Sequence, residues 1–411
     1  MLEHKEKRAG EYCDIRKELV LFNIRKMKKQ QKTCNMHKRT FEKGEKNMEV
    51  KKVAILGGGN GGISAAADLR EKGFETALFE LPQFFSNLSV IKEKGGVLLQ
   101  DNQGERFVQI PTVTDNLEEA IKDAQIVMLA VPGFAIEAFA EALAPAVAEE
   151  QVIFLYGAAA MGCVRFVNKA KEMGIDKAFK ICEVNSLTYG TRAFPQEARA
   201  ELSLRVKKLF LAAYPHENTQ ELLEICRQIY DCLVPAENIW HTTLENGNPV
   251  VHPGPSLLNA GRIDYSKGDF WLYKEGITEH TINVLHAIEH EQMAIGKAFG
   301  FEIEDAVQCR ARRGYLKNEV DDLQYQFNTS EVFCQIKGPT SCTARYFTED
   351  ISTGLVLWAD LGRVAGVPTP NIDAVITLGG SLLQRDFREE GLTLEKLGFG
   401  NCTLEQLIER V

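Results

Sequence analysis

The glycine-rich run Gly57–Gly62 constrains the fold of this chain more than any other feature. It reads Gly-Gly-Gly-Asn-Gly-Gly and fits the pattern G-x-G-x-x-G. The apolar residues Val53–Leu56 come just before it, and a helical pattern over Ile63–Lys72 comes just after it. A glycine turn between a strand and a helix is typical of a loop that holds the pyrophosphate of a dinucleotide on the helix N-terminus.

Each position of this loop has a physical reason to be small. Gly57 permits a tight turn, Gly59 lets backbone approach a pyrophosphate because it lacks a Cβ, and Gly62 lets the helix pack closely on the strand. Asn60 and Gly61 complete the loop. These five residues are therefore predicted to bind a dinucleotide cofactor.

An acidic residue indicates which dinucleotide is preferred. Glu80 ends the next predicted strand, 18 residues after Gly62, and can accept hydrogen bonds from the adenosine ribose. It would repel a 2′-phosphate, and the following Leu81 and Pro82 offer no cation to hold one. The sequence thus favours NAD over NADP. Pro132, which closes a later strand, is predicted at the cofactor side of the sheet, with an ordinary loop role as the alternative.

The pattern along the chain predicts an α/β fold. Apolar strands alternate with helices in the N-terminal half, which is typical of a doubly wound parallel sheet of the Rossmann type. After about Trp240 long helical patterns take over, and the second half is predicted to be mainly α-helical. The predicted organisation is an extension at 1–47, a dinucleotide-binding domain at 48–239 and a helical substrate domain at 240–411.

Charge and composition exclude several classes of function. The net charge of −9 over 411 residues does not favour nucleic acid or an anionic membrane. Residues 1–47 differ from the rest, with 14 Lys/Arg against 7 Asp/Glu, and they precede a second methionine, Met48. Three interpretations stay open for this segment: a flexible tail, a wrongly assigned start, or a basic arm that binds a partner.

Cysteine spacing and hydropathy point to a cytoplasmic protein without a metal. The ten cysteines form no CxxC pair and no Cys/His cluster, so a zinc site is not expected. Without a secretion signal we expect reduced thiols. The most apolar stretch, 126–147, contains Pro132 and Gly133 and is predicted as a strand, a turn and an amphipathic helix rather than a membrane span.

Two segments of the second half carry groups suited to acid/base chemistry. His252 lies in Asn-Pro-Val-Val-His-Pro-Gly, where the flanking prolines hold it outside a helix interior. Histidine is the natural general acid/base near neutral pH, although a lone histidine is more often structural. Arg345 is a candidate clamp for a carboxylate. Asp350 begins a helical pattern and could either cap it or orient a histidine; spacing alone favours the cap.

Two asparagines are weaker candidates for contact with a substrate. Asn185 follows a predicted strand and could line the cleft or be an ordinary loop residue. Asn248 could bind substrate or simply lead the Asn-Pro turn.

The segments GGGNGG, NPVVHP and RYFTED, followed by a helix and AGVPTP, resemble in this order those of the octopine/nopaline (opine) dehydrogenases. The resemblance covers roughly residues 51–383. It implies a Rossmann domain followed by a helical domain like that of glycerol-3-phosphate dehydrogenases. It also implies an enzyme that condenses an amino acid with a 2-oxo acid and reduces the imine with NAD(P)H. By motif, it implies that His252 is the acid/base, Asp350 its partner and Arg345 the contact for a substrate carboxylate.

Two other functions stay open at this point. A related reductase of 2-oxo or 3-oxo acids, without an amine substrate, would carry the same loop and histidine. A non-catalytic dinucleotide sensor would need the loop alone. Substrate identity and oligomeric state do not follow from the sequence, although a helical second domain could pair as a homodimer.

Overall fold

The computed structural model describes residues 48–158, 160–316 and 322–411, so the predictions made for 1–47 lie outside the described residues. Within these ranges, twelve strands form two sheets. In chain order they are β1 (Lys52–Leu56), β2 (Glu75–Phe79), β3 (Gly96–Asp101), β4 (Gly104–Gln109), β5 (Thr112–Thr114), β6 (Ile126–Leu129), β7 (Val152–Ala158), β8 (Lys180–Val184), β9 (Tyr189–Phe194), β10 (Arg199–Arg205), β11 (Leu209–Tyr214) and β12 (Leu233–Pro235).

The larger sheet has eight strands in the order β12-β11-β8-β7-β6-β1-β2-β5. The six strands from β5 to β8 are parallel, and their order is that of a Rossmann fold. Strand β11 joins β8 antiparallel and β12 extends the edge. The predicted fold class is confirmed. The strand order reverses between β1 and β6, so a crevice opens there at the carboxyl edge, where ligands of such sheets bind.

Helices cover this sheet and make up most of the region that follows it. Those of the sheet region are α1 (Asn60–Glu71), α2 (Ser89–Lys94), α3 (Leu117–Ile121), α4 (Ile136–Ala146), α5 (Gly162–Glu172) and α6 (Thr219–Arg227). Those that follow are α7 (Ile239–Leu244), α8 (Asn248–Val251), α9 (Pro253–Leu258), α10 (Ala260–Ser266), α11 (Glu279–Ala298), α12 (Ala306–Arg313), α13 (Leu323–Thr329), α14 (Arg345–Thr348), α15 (Val356–Ala365), α16 (Pro370–Leu383), α17 (Phe387–Glu390) and α18 (Leu404–Glu409). π-helical turns occur at Leu272–Gly276 and Asp350–Leu355.

The helical region packs around α11, whose buried face includes Leu285, Ile288 and Ile295. The large buried side chains Trp240 and Trp358 belong to the same apolar core. Because this core is built from helices far apart in sequence, short helices such as α8 and α14 are held by tertiary packing and not by their own propensity.

A second sheet of four strands, in the order β4-β3-β10-β9, was not predicted. Two hairpins form it, one inserted after β2 and the other after β8, and they join through the parallel pair β3–β10. It packs on α1: Ser64 Oγ lies 2.6 Å from Thr191 Oγ1 of β9. The helix that follows the glycine loop therefore lies between two sheets.

A buried acid ties α1 to this second sheet. Asp68 accepts hydrogen bonds from Tyr189 Oη at 2.6 Å and from Arg205 Nε at 2.8 Å, and it pairs with Lys72 at 2.9 Å. Burial alone would raise the pKa of Asp68, but Lys72, Tyr189 and Arg205 outweigh it and lower the pKa below its ordinary value. The ionised carboxylate thus stabilises the packing of α1, the helix that follows the glycine loop, on the second sheet.

The eight cysteines within the described ranges are all free thiols. In the same residues, no helix combines the length and the apolar character needed to cross a bilayer.

Candidate active site

The glycine loop has the geometry that its sequence predicts. Gly57 has φ +118°, and a Cβ on it would lie 2.5 Å from the carbonyl oxygen of Ala130. A Cβ on Gly62 would lie 1.9 Å from the carbonyl oxygen of Gly57, so α1 could not approach the turn with any other residue there. A Cβ on Gly59, by contrast, would meet no atom within 4 Å. The loop is therefore open to solvent at Gly59, the glycine that is predicted to let a pyrophosphate approach the backbone.

The loop is held from below by Glu80 and from the side by Asn60. Glu80 is buried, and its two carboxylate oxygens accept the N–H groups of Gly58 and Leu81, each at 2.8 Å. Asn60 Oδ1 accepts the N–H of Ala193 from β9 at 2.9 Å. Both side chains therefore brace the loop, and Glu80 keeps acceptor capacity because each carboxylate oxygen has two lone pairs.

These residues fit a dinucleotide. No side chain caps the N-terminus of α1, and Gly61, in its first turn, is buried beside Leu187. Free N–H groups and the positive end of a helix dipole are suited to a pyrophosphate. The open face at Gly59 gives that anion room to reach them.

His252 stands at a break between two short helices. Its N–H donates to the carbonyl of Asn248 at 2.9 Å, which closes α8, and its carbonyl accepts the N–H of Ser256 at 3.0 Å, which opens α9. Pro253 begins the second helix and supplies no N–H of its own. The flanking proline thus fixes the backbone of His252, as the sequence predicts.

His252 and Asp350 form a buried pair. Nδ1 of the imidazole lies 2.8 Å from Oδ2 of Asp350, and both residues are buried. Asp350 begins a π-helical turn, but its carboxylate contacts the histidine and caps no helix. The spacing argument that favoured a cap is wrong, because the π turn directs this side chain inward and not along the helix axis.

Tyr346 is part of the same cluster and was given no role by sequence reasoning. Its ring stacks on His252 with the centroids 4.0 Å apart and the planes 14° apart. Burial raises the pKa of its phenol, while the nearby Arg345 guanidinium acts in the opposite direction. The imidazole is thus fixed in position by Asp350 at its edge and in plane by Tyr346 at its face.

Arg345 lies on the solvent side of this cluster. Its side chain is 58% exposed, and Nε lies 3.3 Å from Oε2 of Glu349. Oε1 of Glu349 accepts the N–H of Gly133, in the loop after β6, at 3.0 Å. Sequence reasoning also missed Glu349, although it stands in the quoted segment RYFTED next to Asp350.

The Glu349–Gly133 contact places the histidine pair beside the glycine loop. Gly133 follows the strand β6, and a Cβ on Gly57 would touch Val131 of the same loop. Glu349 precedes Asp350 directly in the chain. The segment that carries Asp350 therefore lies beside the loop after β6, which also borders Gly57, near the point where the strand order of the sheet reverses.

The remaining predicted residues are in different environments. Asn185 is 1% exposed, its Nδ2 donates to the carbonyl of Glu245 at 3.0 Å, and its Oδ1 accepts the N–H of Phe210 at 2.9 Å, so its amide is used by the protein. Asn248 begins α8 one turn before His252 and is half-buried. Pro132 is exposed at the rim of the crevice. Among the described residues, no three His, Cys, Asp or Glu side chains could hold a metal ion together.

Family models match two parts of this chain. Residues 235–383 match the model described as NAD/NADP octopine/nopaline dehydrogenase, alpha-helical domain. Residues 52–159 match the NAD-dependent glycerol-3-phosphate dehydrogenase N-terminus. Together these segments include the glycine loop, His252 and Asp350.

Individual proteins extend the similarity to most of the chain. An opine dehydrogenase from Arthrobacter sp. (strain 1C) is 32% identical over 358 residues, which cover 87% of this chain and 97% of the relative. An octopine dehydrogenase structure with NADH and L-arginine has a TM-score of 0.65 at 19% identity and covers 87% of this chain and 98% of that one. A yersinopine dehydrogenase structure with NADP+ has a TM-score of 0.62 at 17% identity, with 87% and 95% covered.

Proposed function

This chain belongs to the octopine/nopaline (opine) dehydrogenase family, and we propose that His252, held by Asp350, is its acid/base residue. The protein is an NAD(P)-dependent dehydrogenase that acts on CH–NH groups by reductive condensation of an amino acid with a 2-oxo acid. The 2.8 Å contact between His252 Nδ1 and Asp350 Oδ2, next to the Glu349 that binds Gly133, is the observation that carries the residue assignment.

The reaction needs two proton movements that the chain must manage. The amine adds to the 2-oxo carbon and water leaves, which gives a C=N bond. Reduction then adds a hydride to the carbon and leaves a secondary amine whose nitrogen has gained a proton. A bound NAD(P)H supplies the hydride. A group that gives and takes a proton near neutral pH is therefore required beside the oxygen and the nitrogen bonded to this carbon.

His252 is suited to that requirement. Ionised Asp350 can only accept hydrogen bonds, so Nδ1 donates to it and Nε2 is the ring nitrogen left to hold or release a proton. The carboxylate stabilises the protonated imidazole, and stacked Tyr346 prevents the ring from rotating. The protein thus supplies geometry and electrostatics for chemistry that belongs to the cofactor.

Arg345 is proposed to bind a substrate carboxylate. It is an exposed cation in the segment that carries Tyr346 and Asp350, and a guanidinium can hold a carboxylate by two parallel hydrogen bonds. Asn248 is retained as a substrate contact because it is half-buried one turn from His252. Asn185 is proposed instead to join β8, β11 and the end of α7, since its amide is already hydrogen bonded.

The cofactor is proposed to lie over Gly57, Gly59 and Gly62, with NAD preferred to NADP. The carboxylate of Glu80 is buried under the loop and places a negative charge where a 2′-phosphate would approach. Pro132 would then form the rim on the nicotinamide side.

We propose that the two predicted domains have separate roles. Residues 48–239 are proposed to hold the cofactor, and 240–411 to supply the acid/base pair and the carboxylate contact. A homodimer through the helical region and a cytoplasmic location stay predictions.

A matrix of amino acids against 2-oxo acids, read as oxidation of NADH and of NADPH, tests the function. We expect turnover only when both acids are present, and NADH to be the better donor. In the variant His252→Ala we expect turnover to fall at least about a hundredfold while NADH still binds. The control is His280→Ala, which removes an exposed histidine from α11.

Each alternative has its own outcome in this matrix. Turnover with oxo acid alone would replace the proposal by a reductase without an amine substrate. Tight NADH binding without any turnover would point to a sensor. Full activity in His252→Ala would remove the histidine from the mechanism.

A further inference from the structure

We propose that Glu349 is a positioning residue, which sets the guanidinium of Arg345 for a substrate carboxylate and fixes it relative to the cofactor side of the crevice. The inference rests on the proposed function of Arg345. Glu349 would act through Arg345, without contacting substrate or cofactor itself.

The two oxygens of Glu349 have separate partners. Oε1 accepts the N–H of Gly133 at 3.0 Å, and Oε2 lies 3.3 Å from Nε of Arg345. The side chain of Glu349 is 10% exposed. Among the described residues Oε2 accepts no hydrogen bond, so the ion pair with Arg345 is its interaction. Burying a carboxylate is less costly beside a cation, and Arg345 is the cation paired with Oε2.

The atom through which Arg345 is held decides what it can still bind. Glu349 engages Nε, at the side of the guanidinium, and Arg345 makes no further ion pair within the described ranges. The two terminal nitrogens, Nη1 and Nη2, are left as a fork that matches a carboxylate. The side chain is otherwise long and 58% exposed, so without Glu349 it would sample many rotamers.

Gly133, which anchors Glu349 to the sheet region, is itself held in place by hydrogen bonds. Its N–H binds Glu349, and its carbonyl accepts from Nη2 of Arg165 at 2.6 Å. Arg165 is itself buried and paired with Glu137 at 2.7 Å. The backbone N–H and C=O of Gly133 are thus both hydrogen bonded. Glu349 therefore links Arg345 to the loop after β6, which borders the glycine turn.

The variant Glu349→Gln separates the two contacts. The amide oxygen can still accept from Gly133, but the amide NH2 then faces Nε of Arg345, and two donors do not bind each other. We expect KM for one of the two acid substrates to rise about tenfold, with kcat within about threefold and the Kd of NADH unchanged. Turnover-independent binding of pyruvate to the NADH complex, read from NADH fluorescence, should weaken by a similar factor if Arg345 holds the oxo acid.

A double-variant cycle tests whether the effect passes through Arg345. We expect Glu349→Gln to raise KM in the wild-type background and to add nothing to Arg345→Ala. The control Glu221→Gln removes the acid of an exposed ion pair between Glu221 on α6 and Lys180 on β8, and it should leave KM unchanged.

Three results would overturn the proposal. One is an unchanged KM for both acids in Glu349→Gln, and another is an equal effect with and without Arg345. The third is a lower KM, because it would mean that Glu349 only competes with the substrate for the cation. A wild type that never condenses the two acids would instead defeat the proposed function. Weaker pyruvate binding in Glu349→Gln, absent in the Arg345→Ala background, would still show that Glu349 acts through Arg345.

Discussion

Replacing Asp350 by asparagine tests the His252 pair with the least structural damage. Asparagine has the same shape, and its amide oxygen can still accept a hydrogen bond from Nδ1 over the 2.8 Å that now separates the two groups. What it removes is the negative charge beside an imidazole that must become protonated. A hydrogen bond to a charged group is worth about 1.5–3 kcal/mol. We therefore expect kcat to fall roughly 10- to 150-fold, since about 1.4 kcal/mol corresponds to a factor of ten.

The assay for Asp350→Asn compares three quantities. kcat is measured with the best pair of substrates, the Kd of NADH by fluorescence, and the free energy of unfolding by urea titration. Within the described residues, Asp350 makes its side-chain hydrogen bond to His252 and none to the glycine loop, so the Kd should stay within about twofold. The free energy of unfolding should fall by no more than about 3 kcal/mol. The control Asp269→Asn removes an acid from an exposed pair with Lys337 and should leave all three unchanged.

Two outcomes would refute this reasoning. A folded Asp350→Asn protein with wild-type kcat would show that the carboxylate does not support proton transfer. A loss of NADH affinity as large as the loss of kcat would show that the aspartate acts on cofactor binding instead.

Three further predictions concern the cofactor loop and its support. Gly59→Ala places a methyl group in open space, so the free energy of unfolding should be unchanged. The Kd of NADH should rise at least about tenfold, because the methyl group would occupy the space of the pyrophosphate. The control is Gly261→Ala, whose methyl group also meets no atom within 4 Å and which should leave the Kd unchanged. Glu80→Gln keeps an acceptor for the loop but removes its charge, so the ratio of NADPH to NADH efficiency should rise about tenfold, as expected for a charge–charge term of ~1.4 kcal/mol; an unchanged ratio would contradict the assigned NAD preference. Asp68→Asn should lower the free energy of unfolding at pH 7 by about 1.5–3 kcal/mol. Because the pKa of Asp68 is lowered in the folded protein, its contribution to stability is present above about pH 4 and is lost as the pH falls further. The difference in free energy of unfolding between wild type and Asp68→Asn should therefore be smaller in urea titrations at pH 3 than at pH 7. An equal difference at both pH values would contradict this.

The Rossmann strands and the glycine loop were predictable because local signals and the tertiary structure agree. Strands buried on both faces are continuous apolar runs, and each glycine of the loop has a steric reason that acts within a few residues. The second sheet was missed because its strands carry polar side chains on one face. The alternation of Ala200, Leu202 and Leu204 in β10 was its available signal.

The local structure around a site residue could be predicted where backbone chemistry fixes it. His252 is bounded by prolines, so its place outside a helix interior could be predicted. An aspartate at the start of a helix, such as Asp350, looks the same whether it caps or binds a histidine, and only the resemblance separated the two. Asn185 shows the converse problem, because a polar residue after a strand can face a ligand or join strands. Glu349 could not be predicted, because its partner Gly133 lies 216 positions away.

The two inserted hairpins of the smaller sheet have a consequence for any rearrangement of this chain. Each hairpin leaves one edge without a partner until the other hairpin arrives, and about a hundred residues separate β3 from β10. Shortening one insertion alone would bare a strand edge to neighbouring molecules. A viable deletion or graft must therefore treat both insertions as a single unit, together with the arginine and tyrosine that join the second one to the helix it packs on.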